Sequence, residues 1–455
     1  MHIQTLETCH AERVKQLDSF DPAERRAALE QLAASAAPAV GENVNMHIHT
    51  FFSYNAENWS PSHVAWGCRQ KGLYAAGIID FDVIDGMDEF FAAGETLGLR
   101  TNVGVETRVF YREYADKEIT SPGEPGVHYV VGAGFCKTFP ADSPQAVTLA
   151  AYRQNAQERN IALVNRINPN VGAIAVDYAT DVLPLVPTGS ATERHIISGY
   201  INKSQKVFDG EALVGFWSEL LGIDREAAAA LIADRPSMED KVRAKLAKRG
   251  GFGYEQPTEK TFPPMEDFFA WVKSCDAIPM EAWLDGTTDG EKDARAILEC
   301  SVSKGAQAFS IVPDRNWNIS DPEAKALKVS NLRNVVALCD EMDIPINIGT
   351  EMNKGGLPFV DDLNGPVLSE FKASFIRGAQ VMVGHAVCTR FADFAYVSDA
   401  AVSEFADRKV RNDFFAAVGA LPPMDTKTAD ALRALGTEAA RSAIFDSLKA
   451  TNWIV

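Results

Sequence analysis

Two histidines separated by one residue are the first feature of this sequence that could do chemistry. His47 and His49 belong to N-V-N-M-H-I-H-T, residues 43–50, and follow a short apolar run. In a β-strand, residues i and i+2 point to the same face, so both imidazoles could reach one ion. Imidazole is the commonest protein ligand for zinc-like metals. The pair therefore predicts a metal site at the end of a buried strand.

Other polar residues stand at the ends of further apolar runs. They are Asp80, Asp82, Glu106, His128 and Glu351. An acidic residue at a strand end can simply cap the following helix, and for Asp80 and Asp82 that interpretation stays open. For Glu106 it is less favoured, because an apolar strand leads directly into the carboxylate, with Arg108 just behind it. These residues are candidates to share the metal site.

The elements that must position these residues alternate along the chain. Apolar runs lie near 44–48, 76–80, 102–106, 128–135, 277–284, 306–312, 344–349 and 380–387. Helical patterns fit between most of them, at 61–71, 87–97, 289–304, 322–342 and 366–377. Strands alternating with helices predict an α/β fold with a parallel sheet. The number of runs favours a barrel, with its site at the carboxyl ends of the strands.

The alternation divides the chain into three expected parts. Residues 1–40 form an N-terminal helical extension, in which Asp21 caps a helix that begins at Pro22 within a helical stretch over 5–36. Residues 41–139 and 261–455 form the barrel. Residues 140–260 form a helical insertion, where Ser237 and Asp240 open a helix that ends near Gly250.

Composition limits the classes of partner. The formal net charge is −18, which repels phosphate backbones and anionic lipid surfaces, so nucleic acid and membranes are not expected as partners. A small anionic substrate is compatible, because a metal can reverse the local field. The seven cysteines are scattered without a C-x-x-C pair, which is typical of a reducing compartment. With no signal-peptide pattern at the N-terminus, we expect a cytoplasmic protein of unknown oligomeric state.

The order of these motifs, H-x-H-T, D-x-D, G-x-E, a later His and a later G-x-E, resembles the PHP (polymerase and histidinol phosphatase) family. The resemblance covers about residues 43–136 and 275–355. It implies a metal-dependent phosphoesterase on a distorted (β/α)7 TIM-like barrel. It extends to T-E-R-H-I-I-S-G-Y, residues 192–200, which is similar to a segment that places an Arg and a His near the substrate phosphate. It therefore implies that Arg194 and His195 contact the substrate.

The family usually binds three metals, and the resemblance implies that this chain keeps the ligands of the first. Those ligands are His47, His49, Glu106 and Glu351. Two histidines with two carboxylates suit Zn, Mn or Fe.

The other two metals are less complete. The second would take Glu106 and His128, but Trp283 stands near the position of its second histidine, where Glu281 could supply an oxygen instead. The third is lost, because Tyr54, Phe81 and Asn353 occupy its ligand positions. We therefore expect one divalent ion, with a second as the open alternative.

These residues lead to a functional hypothesis. The chain is expected to hydrolyse a small phosphorylated substrate with a metal-activated water, for which Asp80 or Asp82 acts as general base. Arg194, His195 and Arg315 are expected to hold an anionic group. Each has a plainer alternative, a helix-surface Arg–His pair for the first two and a loop salt bridge for Arg315.

Two other hypotheses remain open. One is a mononuclear hydrolase or lyase that acts on a sugar-like or amide substrate, and the other is a non-catalytic relative that binds a metal or ligand. His385, in V-M-V-G-H-A-V, is expected to end a late strand, where it either faces the site or is a satisfied core histidine.

Overall fold

The apolar runs of the sequence form seven β-strands in one barrel-shaped sheet that is nearly closed. The structure is a computed structural model, and it describes residues 10–455. The strands are hydrogen-bonded in the order β1 to β7 along the chain. They are β1 (Val44–Ile48), β2 (Ala75–Phe81), β3 (Arg100–Phe110), β4 (Val127–Ala133), β5 (Ile278–Trp283), β6 (Ala308–Ile311) and β7 (Ile346–Ile348). This α/β architecture confirms the predicted distorted TIM-like barrel.

One strand runs against the others. β1, β2 and β3 pair in parallel, as do β5, β6 and β7, whereas β4 is antiparallel to both β3 and β5. The sequence predicts a wholly parallel sheet, and β4 is the exception. The connection from β3 to β4 contains the short 3₁₀ turn Arg112–Tyr114 where a parallel crossover usually has an α-helix. The chain therefore turns back instead of crossing over.

The first and last strands, β1 and β7, approach each other near His47 and Glu351. Ile48 and Glu351 form a parallel bridge, the backbone N–H of Glu351 donates to the carbonyl of His47 at 2.8 Å, and the N–H of His49 donates to the carbonyl of Glu351 at 2.8 Å. A Cβ atom at Gly349 would lie 2.4 Å from the backbone nitrogen of His47. Glycine at this position therefore permits the approach.

Helices surround the sheet, and they lie mainly between consecutive strands. The α-helices are α1 (Pro22–Ala33), α2 (Pro61–Gln70), α3 (Met87–Leu97), α4 (Pro144–Ile167), α5 (Glu193–Val207), α6 (Gly210–Leu221), α7 (Arg225–Ala233), α8 (Arg235–Leu246), α9 (Met265–Ser274), α10 (Ala294–Ser303), α11 (Asp314–Trp317), α12 (Pro322–Glu341), α13 (Lys372–Ala392), α14 (Asp399–Glu404), α15 (Arg408–Ala420), α16 (Thr426–Leu435) and α17 (Thr437–Ala450). Further short turns are Asn168–Asn170, Gly172–Ile174, Tyr178–Val182, Leu183–Leu185 and Leu368–Glu370. In the part of the chain that the structure describes, no helix is long and apolar enough to cross a bilayer.

The long segment between β4 and β5 is helical, as the sequence predicts for 140–260, and it holds an apolar cluster of its own from Leu163 to Ala247. Its exact domain boundaries stay a prediction. The cap of α8 differs from the expected one, because the side chain of Asp234 accepts the N–H of Ser237. Asp234 therefore begins the helix, in place of Ser237.

The N-terminal helical stretch over 5–36 begins outside the described residues. Within them, residues 10–16 are helical, and a turn separates them from α1. The side chain of Asp21 accepts the N–H of Ala23, so the predicted cap at Pro22 is confirmed.

One predicted strand is wrong. Residues 380–387 lie inside the long helix α13, where most side chains are buried. A short apolar run is compatible with a buried strand or a buried helix, because a helix buried on all sides loses the polar face that would reveal its period. His385 therefore lies on a helix and does not end a strand.

The contact between α13 and β7 gives a test of the packing that holds the last strand. A Cβ at Gly378 would lie 1.8 Å from the carbonyl oxygen of Ile346. We expect Gly378→Ala to lower the free energy of unfolding by about 3 kcal/mol, because a methyl group overpacks this backbone contact. Urea denaturation measures the change.

The neighbouring substitution Arg377→Ala is the matched control. It removes an exposed ion pair with Asp413, which is worth less than about 1 kcal/mol. Equal losses in the two variants would show that α13 does not approach β7 as closely as described.

Candidate metal centre

The structure brings His47, His49 and Glu106 together in the barrel. Nε2 of His49 lies 3.2 Å from Oε2 of Glu106, and Nε2 of His47 lies 3.5 Å from the same oxygen. One ligand atom from each residue falls within 4.8 Å of the others. All three residues are buried, on β1, on the residue after it and on β3. The predicted histidine pair and its nearest carboxylate therefore converge on one point.

The facing atoms of this group are suited to a cation. Both ring nitrogens of His47, Nε2 of His49 and Oε2 of Glu106 are buried without a hydrogen-bond partner among residues 10–455. Buried polar atoms are normally paired, so this arrangement demands a positive charge between them. These residues fit a divalent metal, for which two imidazoles and a carboxylate are common ligands.

The electrostatics of the group agree with that demand. Burial opposes protonation of His47, but the carboxylates of Glu106, Glu351 and Asp80 outweigh it and raise the pKa of His47. Burial likewise opposes ionisation of Glu106, but the two imidazoles outweigh it and lower the pKa of its carboxyl. The pocket thus favours an anionic Glu106 with positive charge beside it.

A chain of hydrogen bonds orients His49. The hydroxyl of Ser53 donates to Oδ1 of Asp80 at 2.6 Å, and Nδ1 of His49 lies 3.2 Å from the same hydroxyl. The hydroxyl of Ser53 has one proton, and it donates that proton to Asp80. Nδ1 of His49 must therefore be the donor to the oxygen of Ser53. Nε2 of His49 then carries the lone pair and faces Glu106, the tautomer that a metal ligand needs.

Asp80 organises the turn that follows the histidines. Its carboxylate accepts the backbone N–H of Thr50 at 2.7 Å, the hydroxyl of Thr50 at 2.7 Å and the hydroxyl of Ser53. Burial raises the pKa of Asp80, and these donors oppose the shift. Asp80 is 2% exposed, and the hydrogen bonds that its carboxylate accepts come from this turn. Of the two predicted general bases, Asp80 is the one whose two carboxylate oxygens both accept hydrogen bonds from this turn.

Asp82 faces the cavity instead. Its backbone is left-handed, with φ of 57°, and Oδ1 accepts the hydroxyl of Thr107 at 2.5 Å. Burial raises the pKa of Asp82, opposed by the charges of Arg159 and Arg108. A raised pKa and an exposed cavity face are properties that a proton acceptor requires.

Glu351 lies beside the group but points its carboxylate elsewhere. Oε2 of Glu351 contacts Nη2 of Arg315 at 3.1 Å and accepts from Asn353 at 3.4 Å. Glu351 has a left-handed backbone, with φ of 62°, a strained conformation that the bridge to β1 holds. The predicted fourth ligand is thus adjacent to the group and paired with Arg315.

His128 is placed on the other face of the sheet. In the antiparallel register Glu106 pairs with Val131 and His128 pairs with Val109, so His128 and Glu106 point to opposite sides of the barrel wall. His128 is buried there against Glu281, with Nε2 to Oε1 at 2.8 Å. The structure therefore does not bring His128 or Glu281 to the group that contains Glu106.

The two residues of the insertion that were predicted to contact the substrate, Arg194 and His195, have different surroundings. Arg194 lines the cavity and pairs with Asp240 at 3.1 Å. His195 is buried beside Tyr54, and its Nδ1 accepts the N–H of Thr192 in a capping box at the start of α5. Burial lowers the pKa of His195 to about 3. His195 is thus used in a helix cap and lies outside the described cavity lining.

His385 has its hydrogen bonds satisfied in the core, which is one of the two alternatives that the sequence left open. Its Nε2 lies 3.0 Å from the carbonyl of Gly134, and its Nδ1 accepts the N–H of Tyr396 at 3.1 Å. It is a satisfied core histidine, and burial lowers its pKa to about 4.

The side chains at the positions of the third metal have other partners. The hydroxyl of Tyr54 donates to Glu239 at 2.8 Å, and Phe81 stacks on His49 with ring centroids 4.4 Å apart. Asn353 donates to Glu351. These contacts fix the surroundings of the histidine pair.

A cavity of about 1550 Å³ opens over the group. His47, Glu106, Asp82, Arg315 and Glu351 form its floor, and the helical segment between β4 and β5 forms much of its wall. Its cationic side chains, which outnumber the acidic ones, are Arg108, Arg153, Arg159, Arg166, Arg194, Arg243, Lys248, Arg249, Arg315 and Lys354. An anionic ligand therefore suits this cavity, although the whole chain is acidic.

Sequence reasoning missed most of these cations. Arg159 and Arg243 lie on the amphipathic helices α4 and α8, where a charged residue normally marks a solvated face. The position of Arg108, two residues after Glu106 on the same strand, is the one signal that could have identified a cavity cation.

Known proteins resemble this chain in structure only, and at low sequence identity. No protein-family model matches the chain, and no curated protein matches it significantly. A structure described as a metal-dependent phosphoesterase from Bifidobacterium adolescentis shares 18% identity, covers 75% of this chain and 98% of its own, and has a TM-score of 0.45. An amidohydrolase from Chromobacterium violaceum with bound sulfate shares 14% identity over 73% and 96%, with a TM-score of 0.45. At such scores these likenesses identify neither a family nor an activity for this chain.

The Asp80 network provides a test that needs no substrate. We expect Asp80→Asn to lower the free energy of unfolding by about 3 kcal/mol, because the amide nitrogen replaces an oxygen that accepts from buried donors. Urea denaturation of chelator-treated protein measures it.

Asp85→Asn is the control, since Asp85 lies in the loop that follows β2 and makes a part-exposed ion pair with Arg153 at 3.3 Å. Its loss should stay below about 1 kcal/mol. If the two variants lose equal stability, the turn after the histidines does not depend on Asp80.

Proposed function

We propose that the chain is a metal-dependent hydrolase in which His47, His49 and Glu106 hold one divalent ion, Zn, Mn or Fe. The observation that carries the proposal is the buried group of unpartnered ligand atoms from these residues, at the floor of a cavity lined with cations. Glu351 lies next to the group and is the candidate fourth ligand. When bound, the metal would supply Lewis acidity and a water that is acidic enough to give up a proton near neutral pH.

The residues of the chain have separate roles in this proposal. Asp80 and Ser53 hold His49 with its lone pair toward the ion. Asp82 accepts a proton at the cavity floor, where its raised pKa suits the task. Arg315 and Arg194 bind the anionic part of the substrate and offset charge that develops on it.

The substrate class that we favour is a small phosphate ester. Guanidinium groups bind phosphate through two parallel hydrogen bonds, and several of them face this cavity. A mononuclear hydrolase that acts on a non-phosphate substrate is the second candidate. It is favoured by the finding that, in residues 10–455, only one group of three or more His, Cys, Asp or Glu side chains has ligand atoms close enough to share an ion.

Metal binding can be tested without an assay of activity. We expect His47→Ala to weaken the affinity for Zn or Mn by more than about 100-fold, because loss of a direct ligand costs at least as much as loss of its supporting hydrogen bond. Metal analysis after dialysis against a metal buffer measures the change.

His63→Ala is the matched control. His63 is a buried histidine on α2, and its Nδ1 lies 2.7 Å from Oδ2 of Asp18. It does not belong to the group of His47, His49 and Glu106. Its metal content should equal that of the unaltered protein, and an unchanged metal content in His47→Ala would contradict the proposed site.

The substrate class is tested by a phosphatase screen with each metal in turn. Sugar phosphates, nucleotides and an aryl phosphate are the probes, and we expect hydrolysis of at least one only in metal-loaded protein. Duplex DNA should be inert, because the chain carries a net charge of −18 and no basic stripe is visible in its sequence. A blank screen with folded, metal-loaded protein would move the proposal to the non-phosphate hydrolase.

A further inference from the structure

Two arginines of the cavity wall share one aromatic ring. The guanidinium of Arg108 lies over Phe262 with its carbon 4.4 Å from the ring centroid, and that of Arg159 lies over the same ring at 4.7 Å. Both cations and the ring line the cavity. They come from three separate segments, namely β3, α4 and the loop before α9. The fold therefore assembles two like charges at one place.

The charge of Arg159 is not balanced by a direct partner. Among residues 10–455, Arg159 forms no ion pair within 4.0 Å, and its Nη1 makes one long hydrogen bond of 3.4 Å to the carbonyl of Thr261. Asp82 is the nearby acidic residue that favours its charge. Burial, together with the charge of Arg108, lowers the pKa of Arg159 to about 10. Holding this cation beside a second one costs free energy that a bound anion would recover.

Neighbouring groups leave donors free on Arg108 as well. Nη1 of Arg108 contacts Oε2 of Glu124 at 3.4 Å, and this long contact uses only one of its donors. Two further cations nearby, Arg243 and Lys248, pair with Glu193 at 2.5 and 3.0 Å. Glu193 is thus already paired with two other cations, and among residues 10–455 it makes no ion pair within 4.0 Å with either arginine over Phe262.

The location separates these arginines from the metal group. Arg108 and Glu106 are two residues apart on β3 and point to the same face. A strand rises about 3.3 Å per residue, so their Cα atoms are roughly 7 Å apart along the strand. An anion held by Arg108 is therefore displaced toward the cavity mouth from the point where His47, His49 and Glu106 converge.

We infer that Arg108 and Arg159, over the ring of Phe262, form an anion-binding subsite distinct from the metal group, which takes a second anionic group of the substrate. The chemistry recognised is an oxyanion, phosphate or carboxylate, that can accept from two guanidinium groups. The substrate then carries this second anionic group on the side of the reacting bond that faces the cavity mouth. The inference rests on the proposed function for calling the ligand a substrate, whereas the subsite itself stands on the arginines alone.

The test is calorimetric titration of the full chain, after chelator treatment, with inorganic phosphate and separately with acetate. We expect phosphate to bind, and Arg159→Met to weaken its binding by about 10- to 100-fold, the value of a charged hydrogen-bonded contact. Arg159→Lys should recover part of the loss, because it restores the charge without the planar fork. Binding of acetate as well would identify a general oxyanion subsite, and binding of phosphate alone would identify a phosphate subsite.

Two controls make the outcome specific. Arg153→Met removes another cation of the cavity wall, which is paired with Asp85, and should leave phosphate affinity within about twofold. His47→Ala removes a metal ligand and should leave phosphate binding intact. Circular dichroism checks the fold, and Arg108→Met repeats the test if Arg159→Met does not fold.

Two results would overturn the subsite. They are absence of phosphate binding to the metal-free protein and equal losses of phosphate affinity in the Arg159 and Arg153 variants. Either result would leave the proposed hydrolase standing, because neither measures metal binding by His47, His49 and Glu106. Conversely, an unchanged metal content in His47→Ala would overturn the proposed function and leave the subsite untouched.

Discussion

The close approach of β7 to β1 is the constraint on which the site depends. It joins the backbone of His47 to that of Glu351 across the seam of the barrel, and Gly349 makes room for it. The histidine pair is thereby held at the end of β1, while Glu351 is held beside it in a left-handed conformation. A barrel whose seam was wider would leave His47 on one edge and Glu351 on the other.

The buried group also has an energetic consequence. Two imidazoles and a carboxylate placed in the interior without hydrogen-bond partners are costly, and a cation between them removes most of that cost. The hydrogen bonds from Asp80 through Ser53 to His49 hold the arrangement open for a cation, because they fix which nitrogen bears the proton. The same contacts occupy both carboxylate oxygens of Asp80.

The surroundings of the group are supplied by a different part of the chain. The barrel provides the floor, whereas the helices between β4 and β5 provide Arg159, Arg194 and Arg243 in the wall. An acidic protein can therefore present a cationic cavity, since the local arrangement of charges decides what binds there. Arg315 is held beside the group by its ion pair with Glu351.

Much of the fold and the first part of the site could be predicted from the sequence. The first seven apolar runs became strands, because period and flanking turns are local properties of a chain. His47 and His49 were predicted to face one point, because residues two apart on a strand share a face, and their rings lie 5.2 Å apart. The run at 380–387 was misjudged because burial on all sides hides the helical period.

Only the tertiary structure decided the remaining partners. The register in which β4 pairs with β3 placed His128 on the opposite face from Glu106, and His195 became part of a helix cap, whereas Arg108 and Arg159 met over Phe262. These outcomes depend on strand direction, on the register of pairing and on which helix face packs inward. The sequence by itself determined which residues could bind a metal and that a strand would present two of them. Their neighbours were set by contacts between segments far apart in the chain, which no local pattern encodes.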